Sequence, residues 1–436
     1  MYRTIYKDLV DWKKSKKRKP LILEGARQVG KTWIINEFGK KEYEKYVYIN
    51  CDNNPLLNNL FIDYDMDRVL RALSAISNTD ITPDNTLIFF DEIQELDKGL
   101  TSLKYFYEKK PEYHVVVAGS LLGIKTEGGT GFPVGKADKL RMEPLSFNEF
   151  VLASGNEQMY TLIKERNWRE LSTLKNKLID LLRQYYYVGG MPEVVSDYLD
   201  NGNLQNVRQM QKKIIKDYES DFSKHAPENE LPRITMVWNS IPKHLSKENK
   251  KFIYGALKAG ARAKEFEKAI IWLLDAGMIH KVNCLDKMKK PLKFYENENA
   301  FKIYLLDLGL LGAMTNASAS DVLVYDNGFV EYKGALSEQY VAQQFFASSE
   351  DNLYYFSNEN STREIDFVTE NSSVCLVEVK AEENLKSKIL STSLKEDSKL
   401  FGWRFSMSDY YEQNNMINIP LYLCDEWFFS KKHNDG

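Results

Sequence analysis

Residues 25–32 read Gly25, Ala26, Arg27, Gln28, Val29, Gly30, Lys31 and Thr32, the spacing of a phosphate-binding P-loop. Each residue type answers a need of a polyphosphate. Gly25 and Gly30 let the backbone wrap an anion without a Cβ in the way. The exposed amides, and the start of the helix that Trp33 continues, face negative charge. Lys31 brings a mobile cation to the outer phosphates, and Thr32 offers a hydroxyl to magnesium.

A second chemical signal lies about sixty residues on. Leu87, Ile88, Phe89 and Phe90 run into Asp91 and Glu92, an apolar strand ending in two carboxylates. Following a P-loop, this pair reads as a Walker B arrangement. Asp91 is expected to join the magnesium shell, and Glu92 to polarise the attacking water as general base. Alone, the pair would read as an acidic strand end capping the next helix. A weaker signal is Val115, Val116, Val117, Ala118, Gly119 and Ser120, a buried strand ending in a small hydroxyl. Ser120 is the expected γ-phosphate sensor, with a plain strand-ending turn as the alternative.

These groups must be positioned by an α/β layer. Pro20–Glu24, Tyr46–Asn50, Leu87–Phe90 and Val115–Ala118 are short, continuously apolar runs. That pattern predicts parallel strands covered on both faces. Ile34, Ile35 and Phe38 mark one face of the helix after the loop. Residues 1–150 are thus expected to form a P-loop core with helices on both sides of the sheet.

Composition bounds the rest. The 436 residues are 43% hydrophobic and 28% charged, with 59 Lys and Arg against 62 Asp and Glu. The net charge of −3 excludes a uniformly basic nucleic-acid coat but not a local basic face. No run of apolar residues is long enough to span a bilayer, and the first residues do not read as a secretory signal. Cys51, Cys284, Cys375 and Cys424 lack metal-finger spacing, so a reducing cytoplasm is the expected setting. The five histidines form no ligand pair. The basic run from Lys13 to Lys19 reads first as a solvated helix end, with nucleic acid as the alternative.

Residues 151–235 lack strand signals and read as helices broken at Val188, Gly189, Gly190, Met191 and Pro192. In 236–318, a helix over 263–274 precedes a hairpin. Residues 243–298 carry thirteen Lys and Arg against seven Asp and Glu. Helix, helix and basic hairpin predict a winged helix, a module that serves DNA or protein docking. Residues 319–436 begin with a helix and then alternate strands. Glu338 falls on the apolar stripe of a predicted helix, where an unpaired carboxylate is costly. Asp366 lies on one strand, and Glu378 and Lys380 share a face of the next. Carboxylates converging on a half-buried face would suit magnesium chemistry. The bland alternative is a solvated strand edge.

The strings 23–32, 90–94, 118–120 and Pro144–Phe150 together resemble the prokaryotic AAA-type ATPases that carry a C-terminal domain of unknown function. Gly189–Glu193 and Leu306–Leu311 resemble later marks of that family, so the likeness spans most of the chain. It implies an AAA+-like core at 1–150, a helical lid at 151–235, a winged helix at 236–318 and a restriction-endonuclease-like α/β domain at 319–436. Gly190, Met191 and Pro192 resemble the Gly-x-Pro motif of signal-transducing ATPases, which implies that Pro192 touches the nucleotide. Glu338, Asp366, Glu378 and Lys380 resemble the PD-(D/E)xK nuclease signature. The family pattern also implies an arginine finger. The nearest basic residues before the Pro-Leu-Ser-Phe segment are Lys136 and Arg141. ATP with Mg2+ is the implied cofactor pair, ADP a further ligand, and DNA or RNA and a homo-oligomer are the implied partners. Three functions fit: an ATPase coupling hydrolysis to movement, an ATP-gated magnesium-dependent nuclease, or an ATP-binding interaction module with little turnover.

Overall fold

The computed structural model describes residues 1–57, 59–119, 133–247, 250–323, 330–349, 351–358, 360, 362–370, 372–383 and 385–428. Two compact units emerge. The first is Met1–Glu143 with the turn Asp275–Gly277, and the second is Pro144–Leu274 with Met278–Gly436. No helix among the described residues is long and apolar enough to cross a membrane.

In the first unit, helix α1 (Ile5–Lys14) precedes β1 (Leu21–Glu24), α2 (Lys31–Glu42) and β2 (Lys45–Asn50). Then come α3 (Met66–Ser77), β3 (Thr86–Asp91), α4 (Gly99–Lys109), β4 (His114–Ala118) and β5 (Asp138–Arg141). The sheet runs β2-β3-β4-β1-β5, all neighbours parallel. The four strands expected from apolar runs are therefore present, and β5 is a fifth that its mixed composition concealed. Strands β3 and β4 are buried along their whole length. Ile88, Phe90, Val115 and Val117 pack with Val69 and Leu73 of α3 and Leu103 and Phe106 of α4. The basic run that begins in the last turn of α1 is partly engaged: Lys13 pairs with Glu42, and Arg18 with Asp84.

The second unit opens with helices α5 (Phe147–Ala153), α6 (Glu157–Glu165), α7 (Trp168–Thr173), α8 (Lys175–Val188), α9 (Pro192–Asn201), α10 (Leu204–His225), α11 (Leu231–Leu245) and α12 (Ala263–Asp275). Ser146 caps α5, accepting from the Glu149 amide while the Glu149 carboxylate accepts from the Ser146 amide. The hairpin β6 (Ile279–Leu285) and β7 (Glu296–Leu305) follows, then α13 (Leu308–Met314), α14 (Ala319–Leu323) and α15 (Val330–Ser348). The chain continues through β8 (Leu353–Ser357), β9 (Glu364–Glu370), β10 (Val374–Val379), α16 (Lys388–Glu396), β11 (Phe401–Ser406), β12 (Tyr411–Gln413) and β13 (Met416–Pro420).

These strands form one mixed sheet in the order β12-β13-β11-β10-β9-β8-β6-β7. Strand β6 pairs in parallel with β8 through Asn283–Tyr354, Cys284–Tyr355 and Leu285–Phe356. The hairpin expected as the wing of a separate module is thus an integral edge of the C-terminal sheet. The divisions expected at 235 and 318 both fall inside the second unit. The division expected at 150 falls after the change of unit, because α5 packs as part of the second. Local order of helices and a hairpin suggested a module, but sheet membership is set by non-local pairing.

A buried polar group ties the second unit together. Asp307 is fully buried, accepting from the amides of Gly190 at 2.6 Å and Leu310 at 3.0 Å, and from Gln343 Nε2 at 3.2 Å. The Gly190 carbonyl accepts from the Leu145 amide at 2.7 Å, and the Leu145 carbonyl accepts from Tyr185 Oη at 2.5 Å. Asn148 N and Ser348 Oγ both donate to Asp425. A Cβ on Gly190 would lie 2.2 Å from the Leu145 carbonyl oxygen, and one on Gly189 would lie 2.3 Å from Asp307 Oδ1. Gly189 also has φ of 75°, a left-handed region that favours glycine. Packing accounts for this glycine pair, and Pro192 occupies the first turn of α9, where its missing amide costs nothing.

Candidate functional site

Strand β1 delivers the P-loop, and the topology decides what stands beside it. Strand β4 separates β1 from β3, so the loop after β1 and the carboxylates ending β3 emerge at the same edge of the sheet. Gln28 has φ of 65° and Gly30 has φ of 96°, two left-handed residues that curl the loop before α2. Gly25 serves packing as well as ligand access, since a Cβ there would lie 2.4 Å from the Met142 carbonyl oxygen.

Lys31 lies inside the curl. Its Nζ donates to the carbonyls of Gly25 at 2.9 Å and Ala26 at 2.8 Å. Burial pulls its pKa down to about 8, against the opposing attraction of Glu92 and Asp91. Thr32 Oγ1 donates to Asp91 Oδ2 at 2.8 Å, and Tyr48 Oη donates to the same oxygen at 3.2 Å. Burial raises the Asp91 pKa, with Thr32 and Tyr48 working the other way and Glu92 adding to the rise. Glu92 has φ of 52° and heads a short 3-10 turn, where Gln94 Nε2 donates to its Oε2 at 2.5 Å. Gly25–Thr32, Asp91 and Glu92 are therefore gathered on one rim. Trp33 is 44% exposed on the first turn of α2. Ser120 lies outside the described residues.

Three supporting residues escaped the sequence. Arg3 Nη1 donates to the Val29 carbonyl at 3.0 Å and Nη2 to the Glu143 carbonyl at 2.5 Å, fixing the back of the loop. Tyr48 and Gln94 hold the two carboxylates. Arg3 and Tyr48 act through long-range contacts with no local signature, whereas Gln94 was adjacent to the acidic pair. Lys136 reaches Glu108 at 3.3 Å, and Arg141 reaches Glu143 at 2.5 Å, so both finger candidates have partners within the first unit.

The arrangement suits a nucleoside triphosphate with magnesium. Thr32 and Asp91 are the residues that would hold the ion, and their contact shows that they can serve one centre. Residues 17–151 match a family model described as an AAA domain. The N-terminal unit carries a P-loop AAA-type domain. Residues 179–321 and 333–422 match two further models, each described as a domain of unknown function (DUF8612 and DUF4143). No curated protein matches. Among solved structures, the Walker-type ATPase of Pyrococcus abyssi shares 13% identity, covering 71% of this chain and 94% of that one, with a TM-score of 0.44. The Aeropyrum pernix ORC2 protein in ADPNP–ADP complexes shares 13% identity, covering 72% and 90%, with a TM-score of 0.35. Cdc6p from Pyrobaculum aerophilum shares 10%, covering 71% and 90%, with a TM-score of 0.25. These scores are too low for a common whole-chain arrangement to follow.

The C-terminal candidates lie in the second unit. Glu338 on α15 is 2% exposed. Its Oε2 pairs with Lys250 Nζ at 2.7 Å, and its Oε1 accepts from Lys302 Nζ at 3.2 Å and from Tyr304 Oη. Lys302 is fully buried and also reaches Glu364 at 2.7 Å. Asp366 Oδ2 accepts from the Val379 amide at 2.7 Å, and Lys380 pairs with Glu378 at 2.8 Å. Phe367 pairs with Val377, so Asp366 and Glu378 occupy the next register position on neighbouring strands. Among the described residues, no three His, Cys, Asp or Glu side chains are grouped to hold a metal. Lys302 was missed, although a lone lysine within the run Ala300–Leu305 was a readable signal for a buried carboxylate partner.

Proposed function

We propose that the chain is an ATP-driven switch that hydrolyses ATP with magnesium at the first-unit site and couples the cycle to movement of the second unit. The observation that carries this is the Thr32–Asp91 hydrogen bond at 2.8 Å, which brings Walker A and Walker B chemistry to one point. Bound nucleotide would draw Lys31 from the loop carbonyls onto its outer phosphates. Magnesium, held by Thr32 and Asp91, would offset phosphate charge. Glu92, oriented by Gln94, would take a proton from the attacking water.

The link to the second unit is covalent and short. Strand β5 pairs with β1 beside the P-loop, and Glu24 stands opposite Arg141. Leu145, four residues later, is already hydrogen-bonded to Gly190 and Tyr185 in the second unit. Glu92→Gln is expected to lower turnover about 100- to 10,000-fold while ATP still binds. An ATPase time course with calorimetry on the full chain tests this. Unchanged turnover in Glu92→Gln would remove the proposed base. Running the time course with and without DNA tests an action on nucleic acid, and varying protein concentration tests an oligomer with shared sites.

A further inference from the structure

The ATPase cycle makes no use of the buried charges around Glu338. Their arrangement answers a question raised by the resemblance to nucleases, namely whether this site fits the magnesium that such a signature implies. It does not. Both oxygens of Glu338 already face ammonium groups, Lys250 on one and Lys302 on the other, and Tyr304 donates to the second. Glu364 completes the alternation by taking Lys302.

Two lysines face two glutamates, with the buried Asp366 beside Glu338 as a third carboxyl group. Lys302 is fully buried, Lys250 is 14% exposed, and Glu364 is 19% exposed at the side chain. Adding a divalent ion would bury uncompensated positive charge. Expelling a lysine to admit the ion would strand its ammonium or break the chain path that places it. Asp366 Oδ2 accepts from the Val379 amide and Glu378 Oε1 pairs with Lys380, while Glu378 Oε2 is buried with no hydrogen-bond partner.

We infer that Lys250 and Lys302 stand in place of a cation, making this cluster a metal-independent ion-pair clamp rather than a nuclease centre. The clamp fastens four segments: the stretch after α11 through Lys250, β7 through Lys302 and Tyr304, β9 through Glu364, and α15 through Glu338. Lys250 is held with φ of 48°, a left-handed conformation uncommon for lysine. Lys251 then bridges to the backbone of Lys302, so the same short stretch is fixed twice.

The decisive experiment is a Mn2+ titration of the nucleotide-free full chain, followed by electron paramagnetic resonance and by thermal melting. Asp91→Asn is expected to bind no Mn2+, and its Tm should not move with the ion. An equivalent of Mn2+ that persists in Asp91→Asn and disappears in Asp366→Asn would overturn the inference. A thermodynamic cycle supplies a second arm. Glu338→Gln should lower Tm, and Glu338→Gln with Lys302→Met should recover more than half of that loss, because the two charges compensate each other. Additive losses would count against the clamp. Should Glu338→Gln fail to fold, the titration of wild type and Asp91→Asn still decides the matter.

Discussion

Replacing Lys31 by methionine should move nucleotide binding and apo stability in opposite directions. Lys31 is 8% exposed, and burial pulls its pKa from 10.5 down to about 8. A depression of that size corresponds to about 3 kcal/mol of unfavourable burial for the charged form. The two hydrogen bonds to Gly25 and Ala26 return about 1 kcal/mol each. Lys31→Met should thus leave the nucleotide-free first unit about 1 kcal/mol more stable, while ATP affinity falls at least tenfold with the lost charge-assisted bonds. The pH dependence has a definite sign. The folded pKa lies below the unfolded one, so wild type gains stability as pH rises from about 8 towards 10.5. Lys31→Met should lack that gain. Denaturant unfolding without nucleotide and calorimetry with MgATP measure the two effects. A variant less stable than wild type that binds ATP normally would refute the account of the loop.

Other consequences lie in the second unit. Asp307→Ala removes the acceptor for two buried amides and Gln343, and should cost about 3–6 kcal/mol in urea unfolding; a loss below about 1 kcal/mol would show that water replaces the carboxylate. Asp366 has its pKa raised to about 7 by burial and then by Glu338, with Lys302 and Lys250 opposing. The folded state keeps a proton that the unfolded chain has released above about pH 4, so this group's contribution is lost as pH rises through about 7. Asp366→Asn should abolish that decline, at most about 3 kcal/mol in size, when unfolding is compared at about pH 5 and about pH 8. An unchanged slope would mean that Asp366 titrates normally.

The parts that sequence made legible share one property: their physics is local. The P-loop and the acidic strand end each fit within a few residues, and doubly covered strands announce themselves as unbroken apolar runs. Strand β5 was missed because Asp138–Arg141 alternates between half-buried and exposed positions and carries three charges. The edge role of β6 and β7 was hidden because a hairpin looks alike in a wing or a sheet, and only the pairing of Cys284 with Tyr355 decides. Arg3 gave no signal, since its partner Val29 lies 26 residues away.

The marks read as family signatures gain a common physical cause in the second unit. Leu145, Gly190 and Asp307 come from three separate strings, yet they form one chain of hydrogen bonds through the Gly190 amide and carbonyl. Any side chain at 190 would collide with Leu145, and any at 189 with Asp307, so the glycines follow from the close approach of three backbones. Burial raises the Asp307 pKa, and its donors hold the charged form against that rise. Such a network is costly when half satisfied, which favours a single arrangement.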